Sequence, residues 1–295
     1  SKKITNFINK KNIEELASRG VATPDHVIRT KSNPLILDKL FDGCLEENNL
    51  KEWMSSTRKH LQDYILKYNE YFNYHNEKAN GIKKPLDPLP RLIIVPGIGM
   101  IALGDTKNSA KVAADIGEAW IETLLSAEAL GEFSPINQAE TFELEYWSLE
   151  QAKLDKVKNK NFTGNVVVVT GAGGVIGAEI AKDFSKNGAE LVIIDKNREA
   201  AMKAAKRCGE NTLWIECDIT DRKELNNAFD LININFGGVD ILISNAGAAW
   251  EGNITELDID IFKKSMELNC FSHHYIAQKC VEIFKAQDFM EEEID

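Results

Sequence analysis

The stretch NVVVVTGAGGVIG, residues 165–177, decides the fold. Four valines in a row, with no polar interruption, read as a strand buried on both faces. That is the pattern of a parallel sheet covered by helices. The turn that follows is glycine-rich and opens directly into a helix expected over 175–187. Side chains in such a turn would block the helix N-terminus. Glycines leave its N–H groups and the positive end of its dipole open to a pyrophosphate. The turn is not a Walker loop, because no Lys-Ser/Thr pair follows Gly177. Taken alone, the glycines also fit a tight turn with no ligand.

The residues downstream repeat the alternation. ELVIID precedes a helix expected over 198–208, TLWIECD one over 221–235, and VDILISNAG one over 258–286. The fold class is α/β: a Rossmann-like doubly wound parallel sheet, incomplete, with about four strands, preceded by a mostly helical α+β segment. Three features support a dinucleotide site. Asp195 closes the second strand, 18 residues after Gly177. A carboxylate there accepts hydrogen bonds from ribose hydroxyls and repels a 2′-phosphate, which favours NAD over NADP. Asp218, followed by Ile219 in CDITD, ends the third strand, where an acid can meet the adenine amino group. Asn245-Ala246-Gly247 ends the fourth strand, where small residues let backbone approach a cofactor. The other readings are helix caps for the two aspartates and a plain turn for NAG.

TGAGGVIG, VIID, CDITD, SNAG and ELN (267–269) stand in the order and spacing of the short-chain dehydrogenase/reductase family. The resemblance covers about 165–287. It implies NAD held by Gly171, Gly173, Gly174, Val175, Ile176, Gly177, Asp195, Asp218, Ile219, Asn245, Ala246 and Gly247. It also implies that Asn269 is the helper that shapes its helix around a proton-relay water. Val175 departs from the single-domain branch, which usually has glycine there. The spacing of Gly171, Gly174 and Gly177 is that of the branch holding sugar-nucleotide epimerases, whereas NAG belongs to the single-domain branch. The family's catalytic Ser, Tyr and Lys are expected after a fifth strand, past Asp295. Tyr275 and Lys279 have the right mutual spacing but fall on the fourth helix, and are read as unrelated.

Residues 1–160 show less chemistry. We expect a helix tail ending at Gly20, a proline-bounded loop over 21–34 and a long helix over 45–78. Two strands within 92–104 are expected around a Pro-Gly turn, then helices over 108–130 and 138–157 and a lysine-rich linker at 156–162. Trp53, Tyr64, Tyr68 and Phe72 read as core or interface, with a binding platform as the alternative. His26 reads as a structural loop histidine beside Asp25 and Arg29, with a ligand role as the alternative, and His273 and His274 as solvated or packed, with a substrate- or cofactor-facing role for one as the alternative. Arg29 and Lys31 suit either surface salt bridges or a sugar phosphate. The PGIGM turn (96–100) suits strand reversal, with an anion nest as the alternative. No histidine pair has metal-site spacing. TPDHVIRTK, PRLIIVPGIGM and ETFELEYWSLEQAKL, followed directly by the dehydrogenase pattern, resemble the bifunctional aldolase/dehydrogenase fusions of L-rhamnose breakdown. That resemblance implies a class II aldolase half cleaving rhamnulose 1-phosphate and a dehydrogenase half oxidising L-lactaldehyde with NAD. It places zinc and its histidine ligands upstream of this chain. The expected domains are 1–157 and 158–295.

Composition sets the outer bounds. Net charge is −11, and the excess lies in the second half: residues 161–295 carry 13 basic and 23 acidic side chains. Such a half repels phosphate backbones, so nucleic acid is not an expected partner. The cysteine count of five is odd and no C-x-x-C pair occurs, which points to a reducing, cytoplasmic setting. No apolar run reaches the ~18 residues of a membrane span. A small-molecule substrate and self-association through the 258–286 helix are expected. The initial Ser and the missing closing strand suggest a piece of a longer protein. The rival readings are a non-catalytic nucleotide-binding or assembly module and an epimerase-like sugar-nucleotide enzyme.

Overall fold

The computed structural model describes residues 2–40, 46–154 and 160–291. The chain divides into two units, Ser1–Val157 and Lys158–Asp295.

In the second unit, β4 (Val166–Thr170), β5 (Glu190–Asp195), β6 (Leu213–Glu216) and β7 (Ile241–Ile243) form one parallel sheet in the order β6-β5-β4-β7. The strand period of two explains the unbroken apolar runs. Val166, Val168, Val192 and Ile194 pack on one face with Leu225, Phe229 and Ile232 of α10 (Arg222–Phe236) and Ile276 and Cys280 of α12 (Ser272–Glu291). Val167, Val169, Leu191 and Ile193 pack on the other with alanines of α8 (Val175–Lys186) and α9 (Arg198–Cys208). Those small side chains let both helices lie close to the sheet. The chain winds outward from β4 through β5 to β6, then returns to β4's other side as β7. Strand order therefore reverses between β4 and β7, and the crevice of such a sheet opens at that point, beyond the strands' C-terminal ends.

The expected helix over 258–286 is two helices. α11 (Ile259–Met266) runs into a π-helical turn at Glu267–Phe271, and α12 continues from there. One extra residue per turn is invisible to a 3.6-residue pattern. The linker expected at 156–162 falls partly outside the described residues. Phe162 belongs to the second unit, with its ring 4.8 Å from that of Phe184.

The first unit begins with α1 (Lys2–Ile8) and α2 (Ile13–Ser18), where one helix tail was expected. Residues 24–30 correct the expected loop: Pro24–Thr30 is a helix, α3. Pro24 sits in its first turn, where the missing N–H costs nothing, so this proline starts a helix rather than breaking one. β1 (Leu35–Ile36) pairs parallel to β2 (Leu92–Val95), which turns back through Gly97 into β3 (Gly99–Ala102). α4 (Glu47–Lys78) lays Trp53, Leu61 and Tyr64 against Leu35, Leu37 and Val95. α5 (Lys107–Leu130) starts at a Thr106/Ser109 capping box. It buries Trp120, Ile121 and Leu124 with Phe7 and Leu16. The helix expected over 138–157 breaks at Tyr146 into α6 (Gln138–Glu145) and α7 (Ser148–Gln151).

Candidate functional site

The site is built where β4 ends. Gly171 has φ 64°, in the left-handed region, and a Cβ there would lie 2.6 Å from the Ala246 Cα. Only glycine allows the turn after β4 to touch the NAG segment after β7. A Cβ on Gly177 would lie 2.6 Å from the Gly171 carbonyl oxygen and 2.7 Å from Asn245 Nδ2. That glycine lets the first turn of α8 close onto the loop. Thr170, fully buried, ties the two strand ends together, its Oγ1 accepting the N–H groups of Asn245 (3.0 Å) and Ala246 (3.1 Å). Asn245 Nδ2 donates to the Thr170 carbonyl at 3.0 Å. The sequence reading left Thr170 out of the site, although TGAGG contains it.

The arrangement suits a dinucleotide. Gly174 is the N-cap of α8 and offers no side-chain cap to the first-turn N–H groups, which suits an anion. Val175 and Ile176, the first two residues of the helix, are 84% and 72% exposed. Apolar side chains beside bare N–H groups match a ligand with both anionic and ring components. Val175 has helical backbone here, so the position needs no glycine. Asp195 Oδ2 accepts the Gly173 N–H at 2.8 Å and Oδ1 accepts the Asn197 N–H at 2.8 Å. Each oxygen keeps acceptor capacity for a ribose hydroxyl. Asp195 is no helix cap: Asn197 caps α9.

Asp218 is not the cap of α10 either, since Asp221 holds that place. Asp218 Oδ1 accepts the backbone N–H (3.0 Å) and hydroxyl (2.7 Å) of Thr220. Its partial burial opposes the charge, but these bonds outweigh it and hold the carboxyl below its ordinary range. Ile219 turns its side chain away from the site. Its side chain is buried in the core with Leu225 and Phe229, leaving only its backbone for a ligand. Asn269 lies in the π-turn. Its Oδ1 accepts the Ala248 N–H at 3.1 Å, its Nδ2 donates to the Ala248 carbonyl at 2.8 Å, and a Cβ on Gly247 would be 3.1 Å from its Oδ1. The π-turn and the loop after β7 are thus held together by one exposed amide. His273 bonds Ser244 Oγ at 2.5 Å through Nδ1, a contact between α12 and the end of β7 that the sequence did not signal. Tyr275 carries the Arg222 guanidinium 3.8 Å above its ring, and Lys279 pairs with Glu282 at 3.1 Å. Cys208, Cys217, Cys270 and Cys280 are free, and burial pushes the Cys217 and Cys280 thiols up to about 12, which keeps them protonated.

In the first unit, Lys31 corrects the surface reading. It is 6% exposed, with Nζ 3.7 Å from Glu145 Oε1 and 3.8 Å from the centre of the Tyr68 ring. Burial lowers its pKa to about 8, against the pull of Glu145. Tyr68 and Phe72 pack with Phe142 and Tyr146. His26 is buried beside Thr23, its Nδ1 2.7 Å from the Thr23 hydroxyl, and burial lowers its pKa. Arg29 reaches the Lys153 carbonyl at 3.4 Å. The PGIGM turn is not an open anion nest: the Gly97 N–H goes to Asn9 Oδ1 and the Ile98 N–H to the Val95 carbonyl. Among the described residues no group of three or more His, Cys, Asp or Glu is placed to hold a metal.

Residues 1–154 match the family described as aldolase class II, second domain, and residues 165–289 match short chain dehydrogenase. The chain belongs to the class II aldolase family and carries a short-chain dehydrogenase domain behind that segment. The whole chain is similar to the uncharacterized oxidoreductase YuxG of Bacillus subtilis (26% identity, 97% of this chain, 41% of that protein). The dehydrogenase domain is similar to short-chain dehydrogenase reductase 5 of Arabidopsis thaliana (35% identity, 38% of this chain, 44% of that protein). It is also similar to 7alpha-hydroxysteroid dehydrogenase of Escherichia coli (35% identity, 41% and 48%). Among solved structures, 3-ketoacyl-(acyl-carrier-protein) reductase from Brucella melitensis complexed with NADH aligns at TM-score 0.41 and 31% identity, over 42% of this chain and 51% of that one. The chain spans less than half the length of each of these curated relatives.

Proposed function

We propose that residues 158–295 bind NAD(H) as the front of an oxidoreductase acting on a small aldehyde or alcohol such as L-lactaldehyde. The partner activity in the longer protein is an aldolase acting on rhamnulose 1-phosphate, in deoxysugar catabolism. Asp195 carries the NAD reading. A carboxylate fixed by two backbone N–H groups at the end of β5 favours ribose hydroxyls and opposes a 2′-phosphate. When bound, the nicotinamide supplies the hydride acceptor. The residues of this chain have other tasks. The first turn of α8 holds the phosphates, Asp195 and Asp218 select the adenosine end, and Thr170 and Asn245 fix the floor. Asn269 sets the loop at Ala248.

Exposed Phe262 and Phe271, on α11 and the π-turn, favour self-association along this helical segment. No helix among the described residues is long and apolar enough to cross a membrane. The free cysteines suit a reducing compartment, which favours a cytoplasmic location.

Thermal shift of this chain with NAD⁺ and with NADP⁺ tests the cofactor reading. Stabilisation by NAD⁺ alone supports it, and none by either nucleotide sinks it. Substrate assignment is tested on the full reading frame. Failure both to reduce NAD⁺ with lactaldehyde and to cleave rhamnulose 1-phosphate removes it.

A further inference from the structure

The first unit contains a cleft of about 600 Å³, walled by α2, the segment around Asn33, one face of α4 and the start of α6. That volume suits one small molecule. Tyr64, Tyr68, Tyr71 and Tyr74 of α4 all line it. Their spacings of four, three and three residues keep them on one side of the helix as a continuous aromatic row.

Charge at the cleft is balanced. Glu14 and Glu70 face Arg19 and Lys67. Arg19 is already held by Glu15 and Glu128, each at 2.6 Å, so it is not a spare anion receptor. The other polar groups are the amides of Asn33 and Gln138, the hydroxyls of Ser18, Ser32 and Thr141, and His75, whose pKa burial lowers. Aromatic faces with amides and hydroxyls, and no surplus of either charge, complement a neutral polyhydroxylated ring. Its C–H faces lie on tyrosine, and its hydroxyls exchange bonds with the amides.

The row is braced from behind. Tyr68 Oη donates to Glu145 Oε1 at 2.7 Å and lies 2.9 Å from Tyr146 Oη. Lys31 stands over the Tyr68 ring and beside Glu145, with a left-handed backbone (φ 65°) unusual for a lysine. A buried ion pair of this kind adds little stability over apolar packing of the same volume. It does fix the orientation of Tyr68.

We propose that this cleft binds a neutral ligand of monosaccharide size, with exposed Tyr74 and half-buried Tyr64 and Tyr71 as its aromatic wall, and Lys31, Glu145 and Tyr146 as positioning residues for the buried Tyr68 behind them. The proposal is independent of the nucleotide and aldolase readings above.

Saturation-transfer NMR on the whole chain tests it, with free D-fructose, L-rhamnose and D-glucose as probes at millimolar concentration. Inorganic phosphate and fructose 1-phosphate serve as comparators. The expected result is transfer to the ring C–H protons of at least one free sugar. Tyr74→Ala, at a site 57% exposed and safe for the fold, should weaken that binding about tenfold, ~1.4 kcal/mol. Gln138→Ala should weaken it without changing the melting temperature. The idea is overturned if no free sugar binds, if only the phosphorylated probe or phosphate binds, or if Tyr74→Ala binds as wild type does.

Discussion

The Asp195 carboxylate accepts the backbone N–H of Gly173 at 2.8 Å. With the Gly171 N–H on the Ile194 carbonyl, this contact joins the end of β5 to the glycine turn after β4, so in the proposed cofactor site the carboxylate also sets the turn. Asp195→Asn keeps the size but removes the charge and turns one acceptor into a donor. The preference for NAD⁺ over NADP⁺ should fall about tenfold, ~1.4 kcal/mol. Melting curves with each nucleotide measure it, and an unchanged ratio would show that the selectivity lies elsewhere.

Thr170→Val leaves the N–H groups of Asn245 and Ala246 without their acceptor in a buried place. Unsatisfied buried donors cost roughly 1–3 kcal/mol each. The variant should unfold at lower denaturant with little change in slope, and it should lose NAD⁺ stabilisation. Wild-type stability in Thr170→Val would remove the bridging role.

Asn269→Ala breaks both bonds between the π-turn and Ala248. Amide exchange at 246–250 and 266–271 should speed up, while β4 and β5 stay protected. Global stability should drop by only about 1 kcal/mol, because the amide is exposed. Uniform exchange across the unit would contradict a local role.

The Lys31 pair gives a pH signature. Folding lowers the Lys31 pKa from 10.5 to about 8. Between those values the unfolded chain binds the extra proton, so this group makes stability rise with pH across that window. Lys31→Met should flatten the rise in urea titrations taken at successive pH values. If the slope is the same in both proteins, Lys31 is not its source.

Legibility differed between the halves. Val166 to Val169 and Leu191 to Ile194 read directly as strands because their two faces are buried by the same sheet. The places of the glycine turn and of Asp195 read directly because both follow from neighbouring residues in the chain. Pro24 misled because proline marks both loops and helix starts, and only the chain after it distinguishes them. The break at Tyr146 was hidden because Phe142 and Tyr146 are i and i+4 on an apparent helix face while serving one aromatic cluster. Lys31 read as a surface cation because its partners, Tyr68 and Glu145, lie 37 and 114 residues away.

The sequence by itself determined the parallel sheet, the glycine turn that leads into the helix after its first strand, and the carboxylate at the end of the second strand. Each of these depends on residues adjacent in the chain or on a period of two. Tertiary structure alone decided that Thr170 holds Asn245 and Ala246, that Asn269 holds Ala248, and that Lys31 is buried under Tyr68. Those contacts join residues far apart in the chain, so they exist only once helices and strands have packed and taken water away from the groups they pair.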